Sequence, residues 1–438
     1  MSRILSGVLW VVLYLLVVLS PMFLMVIDPR PPGRDFWVEF SVALGFVGLT
    51  QIAVQFALIA RFRRVTAPYG IDIILRYHRQ IALVAVSLIL LHPIILAANN
   101  PALWQLFNPL GGTLGSRMGL SAVVALVILV ALSLFRERIR LNYEVWRITH
   151  ALLAVTAVVL AQVHVSMTGL YINTAWKQSM WIVFSALMIG LIVYLRLIKP
   201  ILQKRQPYRV EDVKEERADT WALTLKADGH EGIKFLPGQF AWLKFGRSPF
   251  TIEEHPFSFS SSAEHPERIE FGIKELGDFT SRVKDIPPGT PAYIDGPHGA
   301  FSVDRTPAAG YVFIVGGIGI SPVMGIIRTL ADRDDPRPLL LIYGDKTWDA
   351  IAYRDELEEL KDRLDLEIAY VLEDPHEDWE GEAGFVTAEI LDKRLPDEKI
   401  TREYFVCGPD VMMDAVEKAL LANGVSRNNI HMERFNLV

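Results

Sequence analysis

Residues 71–98, IDIILRYHRQIALVAVSLILLHPIILAA, decide the fold of the first half of this chain. The segment is mostly apolar, and its histidines, His78 and His92, lie fourteen residues apart. Fourteen residues make about four helical turns, or roughly 21 Å of rise, so both imidazoles lie near one face of a helix. That rise is a large part of the roughly 30 Å hydrocarbon core of a membrane. The segment predicts a membrane-spanning helix with one histidine near each surface.

A second apolar segment repeats this spacing, because His150 and His164 are also fourteen residues apart. A lone histidine inside a membrane is usually a hydrogen-bonded packing residue or part of a proton path. Burying four polar rings without a shared purpose is costly. Paired across helices at matched depth, His78 with His150 and His92 with His164, the imidazoles suit two haem irons, each with two axial ligands. We therefore predict two stacked haems.

Six apolar stretches are long enough to cross a membrane. They are Ile4–Ile27, Phe36–Ala60, Ile71–Ala98, Met118–Phe135, Val145–Met167 and Ala175–Ile198. The first is longer than a usual signal-peptide core, and no convincing small-residue cleavage site follows it, so we interpret it as a retained helix. We expect a six-helix transmembrane bundle whose third and fifth helices carry the histidines.

The charges of the connecting loops predict the orientation of these helices. One side collects Arg61, Arg63, Arg64, Arg76, Arg79, Arg136, Arg138, Arg140, Arg147, Arg196, Lys199, Lys204 and Arg205. The other side has Arg30, Arg34, Arg117 and Lys177. By the positive-inside rule the first side is cytoplasmic. We expect a multi-pass protein of the inner or plasma membrane with both termini in the cytoplasm.

Composition narrows the remaining classes of function. The chain has 438 residues and a formal net charge of −6, with no basic tail or patch that would indicate a nucleic-acid partner. Cys407 is the single cysteine, which excludes an intramolecular disulfide and cysteine-rich metal or iron–sulfur sites. The expected partners are the lipid bilayer and small molecules, and the oligomeric state stays open.

Two sequence patterns that are typical of soluble domains follow the apolar half. From about Pro207 to Val303, short runs of alternating polarity separated by Gly and Pro predict a small antiparallel β-barrel. From Gly310 onwards, apolar strands alternate with helical stretches, which predicts a doubly wound α/β domain with a parallel sheet. The fold class is thus a multi-domain membrane protein with three parts.

Two glycine-containing turns lie at the ends of strands in the α/β part. Residues 316–322, GGIGISP, follow the apolar strand 311–315 and precede a helix, where glycines allow a pyrophosphate close to the backbone. Residues 407–409, CGP, end another strand of the same sheet. Ligands of such sheets bind outside the carboxyl ends of the strands, so both turns indicate one crevice. A tight turn without a ligand remains the alternative for each turn alone.

Two further motifs, residues 255–258 (HPFS) and 277–280 (GDFT), lie in the β-rich part. Their order ahead of GGIGISP, CGP and a C-terminal E-x-F resembles the ferredoxin–NADP reductase superfamily. Joined to six spans with paired histidines, the chain resembles the NADPH oxidase and ferric reductase family of transmembrane flavocytochromes b, in its compact prokaryotic type. The resemblance covers nearly the whole chain and rests on the set of motifs together.

The resemblance implies a role for each matching residue. Flavin-binding residues are implied at His255, Pro256, Phe257, Ser258, Lys274, Gly277, Phe279 and Thr280. Nicotinamide-dinucleotide binding is implied at Gly316, Gly317, Gly319, Gly408 and Pro409. Catalytic positions beside the nicotinamide are implied at Cys407, Glu433 and Phe435, the last stacking on the isoalloxazine.

The implied domains are a haem domain at 1–203, an FAD-binding barrel at 204–305 and an NAD(P)-binding domain at 306–438. The implied function is transfer of electrons from cytosolic NAD(P)H through FAD and two haem b groups to an acceptor outside. Dioxygen, reduced to superoxide, is the expected acceptor; a ferric chelate, a quinone or a periplasmic partner are alternatives. From another class, the chain could be a haem-binding module or a transporter with a degenerate domain. The outer segment 99–117, with Arg117, is a candidate to shape the acceptor site.

The choice between NADH and NADPH stays open at this stage. Asp345 follows the strand 339–343 and could bind a ribose hydroxyl, which would favour NADH. Lys346 and Arg354 could instead bind a 2′-phosphate, which would favour NADPH. The two signals conflict.

Overall fold

The computed structural model describes residues 3–27, 33–61, 71–396 and 401–434. Two compact units make up the chain: a helical unit that ends at Ile198 and a second unit that begins at Lys199. The long helices of the first unit are α1 (Arg3–Val26), α2 (Phe36–Ile59), α3 (Ile71–Asn99), α4 (Leu114–Leu134), α5 (Tyr143–Thr168) and α6 (Ala175–Val193). A short 3₁₀ helix, Pro101–Phe107, lies between α3 and α4.

Local sequence sets where these helices begin and end. The Asp35 carboxylate accepts the backbone N–H of Trp37 at 3.0 Å and caps α2. Thr113 caps α4 in the same way. Gly169 ends α5 with a φ of 61°, a left-handed conformation that glycine adopts without steric cost. Side-chain caps replace the hydrogen-bond partners that the first N–H groups of a helix lack.

Five described helices are long and apolar enough to cross a membrane. They are Phe36–Ile59, Ile73–Asn99, Leu114–Leu134, Tyr143–Thr168 and Ala175–Gln203. The apolar segment Gly7–Phe23 of the first helix is shorter than this length. The prediction of a helical membrane region is confirmed, with five candidate spans; the sixth span stays a prediction.

The bundle buries small residues and exposes large apolar ones. Ala85 and Ala157 are fully or almost fully buried at its centre, whereas Leu152, Ile182 and Leu187 are more than 60% exposed. A Cβ on Gly48 of α2 would lie 2.7 Å from Ile89 of α3, so these helices approach closely because Gly48 has no side chain. Small residues between helices and large apolar residues outside are the arrangement that suits lipid as solvent.

The second unit begins with a short helix, α7 (Lys199–Gln203), and an antiparallel sheet of six strands. The strands are β1 (Tyr208–Arg217), β2 (Thr220–Ala227), β3 (Phe240–Phe245), β4 (His255–Ser258), β5 (Arg268–Lys274) and β6 (Pro291–His298). Their order is β4-β3-β6-β1-β2-β5. Leu223, Phe259 and Phe271 form the centre of its core and are completely buried. The predicted antiparallel sheet is present, and closure into a barrel stays a prediction.

A parallel sheet follows, again of six strands, in the order β10-β9-β8-β7-β11-β12. These are β7 (Gly310–Gly316), β8 (Leu339–Asp345), β9 (Leu366–Leu372), β10 (Glu382–Ala383), β11 (Arg402–Cys407) and β12 (Ile430–Met432). The helices are α8 (Ile320–Asp332), α9 (Arg354–Leu360), α10 (Ala388–Arg394) and α11 (Asp410–Ala422). Separate apolar cores cover the two faces of the sheet, one with α8 and α9 and the other with α10 and α11. This is a doubly wound α/β arrangement.

Candidate functional site

The four histidines of the helical unit lie as two pairs between α3 and α5. The ring centroids of His78 and His150 are 6.4 Å apart, and those of His92 and His164 are 6.5 Å apart. Because the pairs form in the same order along both helices, α3 and α5 run in the same direction. We call the two ends of the bundle the His78 end and the His92 end.

Both centroid separations suit a metal ion with one imidazole on each side. A metal–imidazole bond is about 2.0–2.1 Å long, and a ring centroid lies a further ~1.1 Å from its own nitrogen. Two imidazoles on opposite sides of one ion therefore have centroids about 6.3 Å apart, close to the values found here. Each site would rest on its two imidazoles, because no group of three or more His, Cys, Asp or Glu side chains clusters anywhere in the described parts of the chain.

Hydrogen bonds fix the tautomer of both histidines at the His92 end. The Nδ1 of His92 lies 2.9 Å from the carbonyl oxygen of Ser41, and the Nδ1 of His164 lies 2.8 Å from that of Gly115. A carbonyl only accepts, so each Nδ1 carries the proton and donates it. In a neutral imidazole the Nε2 then keeps its lone pair, which is the state of a metal ligand.

A hydroxyl network does the same for His150. Ser133 Oγ donates to the carbonyl of Leu129 at 2.8 Å and accepts the indole N–H of Trp146 at 3.2 Å. A hydroxyl has one proton, so its contact with His150 Nδ1, 3.1 Å long, requires the imidazole to donate. His150 is therefore protonated at Nδ1. Among the described residues His78 Nδ1 has no hydrogen-bond partner, which distinguishes it from the other three histidines.

A cavity of about 370 Å³ lies at the His92 end, between α2, α3, α4 and α5. His92 and His164 both line it, with a mostly apolar surface around them. A Cβ on Gly45 would lie 3.3 Å from the ring of His92, and one on Gly119 would lie 2.8 Å from the ring of His164. The two glycines therefore leave room for the two imidazoles. The paired rings, their tautomers and the cavity together fit a haem with two axial histidines.

Three residues that the sequence did not single out as a site meet at this cavity. Arg34 donates from Nη2 to the hydroxyl of Tyr171 at 2.5 Å and from Nε to Glu39 at 3.2 Å. The Tyr171 hydroxyl donates to Glu39, which closes the triad. Arg34 and Tyr171 line the cavity, whereas Arg117, which the sequence suggested for this end, is exposed and outside the lining.

The glycine-containing turns of the α/β part meet at the carboxyl ends of two paired strands. Val315 of β7 pairs with Cys407 of β11, so the turns that follow them lie side by side. A Cβ on Gly319 would lie 2.3 Å from the carbonyl oxygen of Cys407, which only glycine permits. Gly317 has a φ of 54° and no heavy atom within 4 Å of a built Cβ, so its backbone is open to a ligand. This open backbone at the start of α8 fits a dinucleotide pyrophosphate.

Cys407 and Glu433 are buried beside these turns. Cys407 is 1% exposed; burial, and to a smaller degree the charge of Glu433, raise the pKa of its thiol. Glu433 is 4% exposed, and its carboxylate packs against Gly299: a Cβ built on Gly299 would lie 2.8 Å from Oε1 of Glu433. Met412 packs on Gly316 and Gly408 and holds the two turns together. Phe435, the predicted flavin-stacking residue, lies outside the described residues.

The residues implied in flavin binding lie around β4 and the turn after β5. The His255 ring stacks on Phe279 with centroids 4.1 Å apart, and Phe257 lies 6.0 Å from the same ring. Thr280 Oγ1 accepts the backbone N–H of Gly277 at 2.9 Å and orders the exposed turn. Pro256 is part of β4, Ser258 ends it and Lys274 ends β5. The turn presents open backbone and a threonine hydroxyl, which suits a flavin pyrophosphate.

Comparison with known proteins gives three family matches. Residues 44–161 match the ferric reductase like transmembrane component, residues 207–288 match an FAD-binding domain, and residues 313–418 match the oxidoreductase NAD-binding domain. Together they form the domain arrangement of a ferric reductase or NADPH oxidase-like flavocytochrome with a ferredoxin–NADP reductase-like C-terminal half. The resemblance drawn from the sequence is confirmed at this level.

Two curated relatives are similar to parts of the chain. The reductase component of propane 2-monooxygenase from Rhodococcus jostii is 31% identical over 237 residues, which are 52% of this chain and 62% of that protein. NADH-cytochrome b5 reductase 1 from Debaryomyces hansenii is 33% identical over 156 residues, or 35% of this chain and 55% of that protein. The chain thus spans less than two thirds of these relatives.

One solved structure, the ferredoxin reductase in carbazole 1,9a-dioxygenase, is 26% identical with a TM-score of 0.46. The similarity covers 52% of this chain and 69% of that chain.

Proposed function

We propose that this protein carries electrons from cytosolic NAD(P)H through FAD and two haem b groups across a membrane. The proposal is supported by the joining of a ferric reductase-like membrane component to FAD-binding and NAD-binding domains in one chain. Dioxygen, reduced to superoxide, is the proposed acceptor. The observation that carries the proposal is the pair of histidine separations, 6.4 and 6.5 Å, on two parallel apolar helices. A haem-binding module without enzyme activity would have no use for the open dinucleotide turn at Gly317.

The proposed topology has six spans, with α1 as the sixth and both termini cytoplasmic. The His78 end then faces the cytoplasm, because the arginine-rich loops lie there. The proposed domains are 1–203, 204–305 and 306–438. Such a protein belongs in the inner or plasma membrane.

The second unit orients nicotinamide and flavin. Bound FAD accepts a hydride and releases electrons singly, and bound haem iron carries one electron at a time. The turns at Gly317 and Gly408 hold the dinucleotide at the strand ends, with Cys407 and Glu433 beside the nicotinamide. We propose that Phe435 covers the isoalloxazine until the nicotinamide binds.

The helical unit supplies ligands and excludes water. Backbone carbonyls of Ser41 and Gly115 keep the Nε2 atoms of His92 and His164 unprotonated. Apolar side chains make up most of the cavity lining around the pair, and such surroundings suit a small apolar acceptor such as dioxygen. Arg34 at the same cavity favours the second candidate, an anionic ferric chelate.

Purified protein in lipid nanodiscs tests the proposal directly. Anaerobic NADH or NADPH should reduce bound flavin and then produce the spectrum of two six-coordinate low-spin b-type haems. Steady-state turnover with oxygen should form superoxide that superoxide dismutase removes, and a ferric chelate should be tested alongside. A protein without haem, or with one high-spin haem per chain, would refute the proposal.

Replacing Ser133 with Ala tests the network around His150. The variant removes the acceptor of the His150 Nδ1–H and of the Trp146 indole. Losing such a second partner weakens metal binding by about 10–100-fold. We expect faster loss of one of the two haems to excess apomyoglobin, measured optically.

Ser185→Ala is the matched control, because the one hydrogen bond of Ser185 Oγ within the described ranges goes to the carbonyl of Trp181 in its own helix. Equal haem loss from both variants would show that the Ser133 network does not position His150.

The contacts around Asp345 favour NADH over NADPH. Arg354 is 13% exposed; its guanidinium lies 4.3 Å from the Trp348 ring centroid and donates to the Trp348 carbonyl at 2.8 Å. It also lies 3.5 Å from Asp355 and 3.9 Å from Asp349, so its positive charge is already paired.

Asp345 ends β8, and burial raises the pKa of its carboxyl above the ordinary value. The Lys346 N–H and the charge of Lys274 offset only part of this effect, and the charge of Glu373 adds to it. A carboxylate here binds a ribose diol and repels a 2′-phosphate.

Asp345→Ser should lower the preference for NADH over NADPH by about tenfold or more, since charged hydrogen bonds contribute about 1.5–3 kcal/mol. The measurement is the ratio of kcat/KM for the two nucleotides in a flavin-dependent dye-reduction assay. Asp362→Ser is the control, because Asp362 is exposed and lies after α9, away from the contacts of Asp345 and Arg354. A ratio that changes equally in both variants would remove Asp345 from nucleotide selection.

A further inference from the structure

Arg34 is the cationic side chain that lines the cavity at the His92 end, within the described residues. Its side chain is 37% exposed, so it reaches both the cavity and the protein surface. Other hydroxyl groups in the lining already donate their protons: Ser116 Oγ to the carbonyl of Thr113 at 2.8 Å, Thr168 Oγ1 to the carbonyl of His164 at 3.0 Å, and the Tyr171 hydroxyl to Glu39. An anion in the cavity would therefore meet Arg34 as its charged donor.

The triad holds the guanidinium and leaves some of its donors unused in the part of the chain that the structure describes. A guanidinium has five N–H groups. Two of them are used among the described residues, one by Tyr171 and one by Glu39. The guanidinium carbon lies 5.3 Å from the Tyr171 ring centroid, and Tyr171 is 8% exposed, so the plane of the group is supported from one side. A fixed planar guanidinium with free donors is the group that binds a carboxylate with two hydrogen bonds.

We propose that Arg34 is a carboxylate-binding residue at this cavity. The carboxylate belongs either to a haem propionate or to a carboxylate-bearing ferric chelate, and the inference rests on the proposed function. Glu39 orients the guanidinium but also places a negative charge beside the incoming anion. Substituting these two residues should therefore change anion binding in opposite directions.

The first arm measures binding of gallium(III) citrate, a redox-inert analogue of ferric citrate, to oxidised protein by calorimetry. If the acceptor supplies the carboxylate, Arg34→Gln should weaken binding by about tenfold or more. Glu39→Gln, which retains an acceptor for Tyr171 and Arg34, should tighten it. Haem content should be unchanged in both variants. An uncharged gallium(III) maltolate complex should bind to the parent protein and to both variants with the same affinity.

The second arm measures haem content by pyridine haemochrome and the midpoint potential of each haem. If the haem supplies the carboxylate, Arg34→Gln should lower the potential of one haem, since a nearby cation favours the reduced form. That haem should also pass faster to apomyoglobin, while citrate binding stays unchanged. Arg34→Lys keeps the charge but not the planar fork, so it should retain most of the potential and part of the affinity.

Arg117→Gln is the matched control, because Arg117 is an exposed arginine at the same end and outside the cavity lining. If Arg34→Gln changes neither citrate binding nor any haem property more than this control, the inference is wrong. If the parent protein nevertheless binds two haems, the proposed function stays intact. A parent protein without haem would instead refute the proposed function, and the citrate arm would still report on Arg34.

Discussion

Replacing His164 with Leu is expected to remove one of two haems and to stop electron transfer to the outer acceptor. His164 is half of the pair at 6.5 Å, and leucine cannot ligate iron. Haem per chain should fall by about half, because the pair of His78 and His150 remains complete. Reduction of FAD by NADH should continue at the parental rate, since that step needs the second unit alone. The measurements are pyridine haemochrome against protein, anaerobic flavin bleaching and acceptor reduction.

Gln162→Leu is the matched control for this experiment. Gln162 lies on the same helix, two residues away, and its amide is buried without a hydrogen-bond partner among the described residues. Exchanging an unsatisfied amide for leucine should not lower stability and should leave both haems in place. A His164→Leu protein that kept two haems and full acceptor reduction would contradict the pairing.

Replacing Gly319 with Ala should destroy the dinucleotide site while leaving the haem domain loaded. The added methyl would lie 2.3 Å from the Cys407 carbonyl oxygen, a backbone atom that cannot turn aside. Either β7 and β11 separate or the turn moves, and both displace the backbone that we propose binds pyrophosphate. We expect NADH-dependent flavin reduction to fall by two orders of magnitude, roughly the effect of a small misplacement of a reacting group. Stopped-flow reduction of FAD measures this directly.

Gly317→Ala separates this clash from ordinary backbone strain. Gly317 has open space around a built Cβ, but its φ of 54° is unfavourable for alanine by about 1 kcal/mol. Thermal unfolding should thus show a modest loss for Gly317→Ala and a larger one for Gly319→Ala. Equal losses in the two variants would mean that the Cys407 contact does not constrain the turn.

Periodic patterns predicted the elements that depend on burial alone. The run LEIAYVL is β9 from Leu366 to Leu372, because a strand that is covered over most of both faces is mostly apolar; Glu367 is its exposed exception. The histidine spacing predicted which helices meet, since a helix places residues fourteen apart on one face. The glycine turns were predicted at strand ends, where the sheet topology brings them together.

Other features depend on contacts between residues far apart in sequence. Arg34 and Tyr171 are separated by 137 positions, and no local pattern marks either as part of a triad. The strand β4 contains Pro256 and was predicted as a motif, not as a strand; it is tolerated because β4 lies at the edge of its sheet. In the sequence Ser133 is an ordinary helical serine, and its role is visible only in the structure, where Trp146 and His150 contact its hydroxyl.

The burial of Cys407 has a consequence for spectroscopy. The chain has one thiol, and burial keeps it protonated and shielded from reagents. Replacing it would disturb the packing beside the Gly319 turn, but replacement is unnecessary, because a maleimide will not reach the thiol in the folded protein. Cysteines engineered at exposed positions on either end of the helices can therefore be labelled selectively in the native background. Paramagnetic or fluorescent labels placed in this way would report the membrane topology and the separation of the two units during turnover.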